Sequence, residues 1–138
     1  MRKFAITCLT AATLAVSAGG SLADTGDDFR SAETVNQARK AGGQPISGES
    51  ILKIMSGRTF KNPDWVWKLN KNGTHSSKAT DGSWSDKGTW EVKGNQYCRQ
   101  SQATEGKTIC SNVYFLGRDL RFSQHANPKK LLKWHVSY

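Results

Sequence analysis

Cys98 and Cys110 are the pair whose chemistry the sequence constrains most tightly. The chain has 3 cysteines, and the third, Cys8, lies in an N-terminal stretch that reads as an export signal. Its removal leaves an even pair in a chain bound for an oxidising compartment, where a disulfide is the expected state. Metal ligation is the competing chemistry. No CxxC occurs, and His75, His125 and His135 form no ligand motif with the two thiols, so no metal is expected.

Carboxylates and aromatic rings come next. Asp81, Asp86 and Glu91 are of the type that glycoside hydrolysis uses in pairs, but each is expected at a turn or on the outer face of a strand, where a carboxylate is solvated. A GxSxG elbow is absent, as is any glycine-rich nucleotide loop, so the chain reads as non-catalytic and without a cofactor. Asn72-Gly73-Thr74 is formally a glycosylation sequon, which a hairpin turn explains fully. Trp65, Trp67, Trp90 and Trp134, with Arg99, form a candidate ligand cup. Arg118, Arg121, Lys129, Lys130 and Lys133 form a candidate basic patch, although Arg121 and Lys133 are also what the solvent face of an alternating strand carries.

The segments that must position these residues divide the 138-residue chain in three. Residues 1–23 have a basic start at Arg2-Lys3, an apolar run from Phe4 to Val16, and small residues at Ser21-Leu22-Ala23, the layout of a cleaved signal peptide. The apolar run is too short for a membrane span, so the mature protein is expected in the periplasm or secreted, with no transmembrane segment. What remains is enough for one domain. Residues 24–45 carry more acid than base and few large apolar groups. They read as a flexible or partly helical tail, with a helix possible over Asp28–Ala41, where Phe29, Ala32, Val35 and Ala38 recur at three-residue spacing. A mobile tether and a partner-binding arm are both open readings of it.

Residues 46–138 read as a β domain. Residues 51–138 hold 15 Lys and Arg against 6 acids, so all the excess positive charge of the mature chain lies there. Ser47 is placed to cap a helix over Gly48–Met55, with Gly57 as its stop. Strands are predicted over Arg58–Lys61, Trp65–Asn70, a polar edge-like Thr74–Thr80, Thr89–Val92, Gln96–Ser101, Lys107–Leu116, Leu120–Gln124 and Leu132–Tyr138. Asn72-Gly73 is the strongest hairpin turn. About eight short antiparallel strands with tight turns suit an all-β up-and-down meander or barrel, with a β-sandwich as the alternative.

The cysteines then set one register. If Cys98 stands opposite Cys110, Arg99 faces Ile109 and shares the face away from the disulfide. Arg99 then lies at the barrel mouth or stacks on a tryptophan, unless a bulge turns it outward.

Ile46-Ser47-Gly48-Glu49, the short helix, Ser56-Gly57-Arg58-Thr59-Phe60, Asn72-Gly73-Thr74, Gly88-Thr89-Trp90-Glu91-Val92 and Tyr97-Cys98 together resemble small exported proteobacterial proteins of unknown function. In those proteins this order is similar to half of a calycin or lipocalin-like barrel. The resemblance spans roughly residues 46–115, and its motifs specify turns and core positions. The calycin GxW is here Gly57-Arg58-Thr59, and the resemblance implies no catalytic residue.

Two functions are compatible with these features. One is an exported binding module for a small ligand or a protein partner such as a secreted hydrolase. The other is a basic envelope protein that binds polyanions such as lipopolysaccharide or acidic polysaccharide. No specific nucleic-acid partner is expected of an exported chain without a recognition helix.

Overall fold

The computed structural model describes residues 25–138; the signal-peptide expectation for residues 1–23 lies outside them. The element order is α1 (Thr25–Ser31), α2 (Val35–Lys40), β1 (Gln44–Pro45), α3 (Gly48–Met55), β2 (Thr59–Lys61), β3 (Trp65–Leu69), β4 (Thr74–Ala79), β5 (Ser85–Lys93), β6 (Gln96–Ser101), β7 (Ile109–Leu116), β8 (Asp119–Phe122) and β9 (Val136–Ser137). From β2 to β9 every strand pairs antiparallel with the next, a meander in one 9-stranded sheet. Its two ends, β2 and β9, come into contact, so the sheet is a nearly closed barrel rather than a sandwich. The Arg58 guanidinium sits 5.5 Å over the Tyr138 ring across that junction.

Alternation decides what fills the barrel. Trp67 and Leu69 on β3, Trp90 on β5, Tyr97 on β6, Val113 on β7 and Leu120 and Phe122 on β8 point inward and are buried together. Asn72-Gly73 forms the β3–β4 turn, Gly73 taking a φ of 82°, which costs a residue without a side chain little. The turn sets Leu69 opposite His75 and leaves β4 paired on both sides, so it is an interior strand and not the polar edge its composition suggests.

Helix α3 closes one end. Ser47 caps it, its hydroxyl accepting from the Ser50 N–H, and Ile51 and Met55 enter the barrel core. Its first turn sits directly on the β5–β6 turn. The Gly48 N–H donates to Asn95 Oδ1 at 2.9 Å, and a side chain at Gly48 would place its Cβ 1.9 Å from the Gly94 carbonyl oxygen.

Residues 25–45 are packed against the barrel wall, not free of it. The expected single helix is two, because Thr34 breaks it and caps α2 in a reciprocal pair with Gln37. Phe29, Ala32 and Ala38 bury themselves with Tyr114 and Leu131 in a second apolar cluster outside β7 and β8. Beyond α2, β1 pairs with β7 at Tyr114 and Phe115, taking over the β7 edge where β6 stops at Asn112. Arg121 locks this arrangement. It is buried, and its guanidinium donates to the carbonyls of Phe29, Arg30, Ala32 and Leu132. The first three are carbonyls at the C-terminal end of α1, which a helix leaves unpaired, and the fourth ties the segment before β9 to them.

Candidate functional site

The end of the barrel opposite α3 is open. There the β2–β3, β4–β5 and β6–β7 turns surround a cavity of about 500 Å³, lined by Trp65, Trp67, Trp84, Arg99, Phe122 and Trp134, with Asp86, Ile109 and Leu132 among others. Strand parity explains the lining. Trp65 and Trp67 lie on the inner face of β3, and the inner face of β6 continues from Tyr97 to Arg99 and Ser101, opposite Ile109 on β7.

Four of the five cup residues picked out by sequence meet at this cavity: Trp65, Trp67, Arg99 and Trp134. The rings of Trp65 and Trp67 meet Trp134 edge to face, with centroids 5.8 and 5.9 Å apart, and Phe122 lies 5.1 Å from Trp134. Trp90 is not among them. It lies deeper, its indole N–H donating to the Asn70 carbonyl at 3.0 Å, and it serves the core. Trp134 reaches the cup from a non-strand segment, since only Val136–Ser137 of the expected last strand pairs. Trp84, at the β4–β5 turn, completes the wall and is 46% exposed.

Beside the polar Ser77, Ser85, Ser111 and His125, the wall carries an ion pair. Arg99 Nη1 lies 3.4 Å from Asp86 Oδ2, with 31% of the Arg99 side chain exposed and Asp86 buried. Asp86 Oδ1 accepts from the Ala103 N–H at 3.1 Å. Burial works to raise the Asp86 carboxyl, but the Ser101 hydroxyl, the Ala103 N–H, Arg99 and His75 together hold it below its ordinary value. Ser101 Oγ exerts that influence by proximity, its geometry leaving it without a completed hydrogen bond. The solvated placement expected for Asp86 is therefore corrected. Ser85–Lys93 is one continuous strand, so Asp86 shares the inward face of Gly88, Trp90 and Val92.

Below the pair the barrel holds polar groups with nothing to bond. His75 is 2% exposed and neither ring nitrogen has a partner, and the same is true of the Tyr97 hydroxyl. Burial lowers the His75 pKa against the opposing pull of Asp86, with Arg99 adding to the lowering, and burial pushes the Tyr97 phenol well up. Both groups are thus neutral at physiological pH. His75 was legible in principle, because the Asn72-Gly73 turn dictates its pairing with inward Leu69. Composition hid it, since Thr74–Ala79 has no large apolar residue to mark a core face.

Chemically, this arrangement can grip an anionic group. Arg99 has five N–H donors in its fork and spends one on Asp86 at long range; none of the others has a hydrogen-bond partner among the described residues. Among the described residues no three His, Cys, Asp or Glu side chains converge as a metal site.

The basic patch does not assemble. Arg121 is buried under α1, and Arg118 lies at the β7–β8 turn, at the barrel end that α3 covers. Lys129, Lys130 and Lys133 are exposed on the segment between β8 and β9, where Lys130 pairs with Thr34. Cys98 and Cys110 are disulfide-bonded on the outer wall, opposite one another as the register requires. In comparisons with known proteins, no family model, curated protein or solved structure matches this chain.

Proposed function

We propose that the protein is an exported, non-catalytic binding module whose open cup takes a small amphipathic ligand, with a flat apolar body and one anionic head. The observation that carries this reading is Arg99, partly exposed in the wall of a mainly aromatic cavity with most of its donors uncommitted. The volume falls within the range of small-molecule sites, which combine apolar walls with a few polar anchors. The aromatic walls offer faces and edges against which a flat ring can pack, and a carboxylate or sulfonate at Arg99 gains a charge-assisted hydrogen bond. The disulfide supports residence in an oxidising compartment.

Tryptophan fluorescence provides the test, with naphthalene-2-carboxylate and its uncharged carboxamide as matched probes. The carboxylate is expected to quench saturably and bind about tenfold or more tighter than the amide, the effect of one charge-assisted contact. Arg99→Gln should remove the difference while leaving the amide's binding intact. Equal binding of the two probes overturns the anionic head, and no binding of either overturns the cup as a ligand site.

A further inference from the structure

We infer that the outer wall of β2–β5 is a docking surface for a linear anionic polysaccharide, separate from the cup. Sheet register carries the inference. On the solvent face of these strands one row reads Lys61, Val66, Lys78, Ser85, and the next reads Thr59, Lys68, Ser76, Lys87, each residue paired with its neighbour across the sheet. All four lysines are exposed, and none forms an ion pair among the described residues. With strands about 4.8 Å apart, lysines in one row stand about 10 Å from each other, and the rows are separated by about 7 Å. The result is a zigzag of four like charges at diagonal positions.

No carboxylate stands within these two rows. Asp86, the one acid of β5 at this level, points inward to Arg99. Glu91 lies further along the strand and is paired with Lys93 at 3.0 Å. Asp64 and Asp81 occupy the turns at the open end, where Asp81 accepts from the Ser83 N–H. No two of these lysines stand directly opposite each other, where like charges destabilise a sheet, so the fold carries the uncompensated group of four, and such a group fits a surface whose counter-charge is supplied by a partner.

The chemistry between the lysines selects that partner. Thr59 and Ser76 present hydroxyls, with Ser85 at the border with the cup, and the rows contain no aromatic ring and only one large apolar side chain, Val66, which is half-buried. The face therefore lacks the stacking platforms that single-stranded nucleic acids use and the apolar groups that enter a lipid interface. An extended sugar chain bearing sulfates or carboxylates meets the cations and the hydroxyls together. This surface involves other residues than the candidate patch around Lys129, and it stands whether or not the cup takes a ligand.

The experiment measures binding to heparin, as the sulfated polysaccharide probe, over a range of salt. The wild-type protein is compared with K61Q/K68Q/K78Q/K87Q and with K129Q/K130Q/K133Q, thermal unfolding serving to verify that each is folded. The wall variant should lose retention, its slope of log affinity on log salt falling by about 3 if each lost contact contributes about 0.7, as in single-stranded polyanions. The loop variant should keep most of the wild-type slope. Wild-type slope in the wall variant, or loss confined to the loop variant, overturns the proposal. So does a wild-type protein that binds phosphatidylglycerol vesicles or polythymidine but not heparin.

Discussion

Arg99 and Asp86 form a pair inside a barrel because two strands of uninterrupted alternation place them there, and a buried charge without a partner is costly. His75, next to them, has a different fate. Its imidazole is held neutral by burial, below the ordinary value of 6.5, and His135 is lowered for the same reason. The unfolded chain therefore takes up protons before the folded one as pH falls through about 6.5. Stability linked to these rings is complete above that value and is lost below it, and the depressed Asp86 carboxyl adds a further loss only in stronger acid. Thermal unfolding followed from about pH 8 to about pH 5 should show a falling midpoint, and His75→Phe should flatten part of that fall. A variant with the wild-type pH slope would show that His75 does not contribute. At this scale the sequence revealed what parity governs, namely Trp65, Trp67 and Arg99. It concealed Asp86, because Asp86-Lys87-Gly88 has the composition of a turn and forms the start of a strand.

The elements show where local pattern and tertiary contact part company. Helix α3 could be read from Ser47, the Ile51 and Met55 spacing and Gly57, since every signal lies within the helix or beside it. The close approach of Gly48 to the Gly94 carbonyl could not, because it joins positions far apart in sequence. Gly48→Ala should lower stability by about 1 to 3 kcal/mol, the usual effect of overpacking, measured as a shift in denaturant midpoint with unchanged slope. An unshifted midpoint would mean that α3 tolerates displacement from the turn. The N-terminal helices were legible only as weak amphipathic pattern. What fixes them is Arg121, which looks in sequence like a solvent-facing strand cation and in the fold is sealed beneath α1, its pKa lowered by burial. Arg121→Met leaves several carbonyls without donors, each worth about 1 to 3 kcal/mol. Limited proteolysis followed by mass spectrometry should then find cleavage within residues 25–45 that the wild type resists. Identical cleavage patterns would remove Arg121 from its role as the lock.

At the scale of the whole molecule, the disulfide crosses a short seam of the barrel. β6 and β7 pair over only four residues, Gln96–Arg99 against Ile109–Asn112, before β1 replaces β6 on the β7 edge. The polar loop between these strands runs along the mouth of the cup, where Ala103 helps to hold Asp86. A crosslink between positions 12 apart in sequence is worth about 3 kcal/mol in the chain-entropy account. In a domain of this size that corresponds to roughly 10 °C in Tm. Because Arg99 follows Cys98 directly, a loosened seam also blurs the position of the cation in the cup's wall. Replacing both cysteines by Ser should therefore do two things together: lower Tm by about 10 °C, and weaken the naphthalene-2-carboxylate probe more than its amide at a temperature where the variant remains folded. Hydrogen exchange read by mass spectrometry should find the added opening concentrated in residues 96–112. If Tm is unchanged, the short seam holds without its crosslink. If Tm falls but both probes weaken equally, the disulfide stabilises the barrel without positioning Arg99, and the geometry of the cup's wall is set by the strand pairing alone.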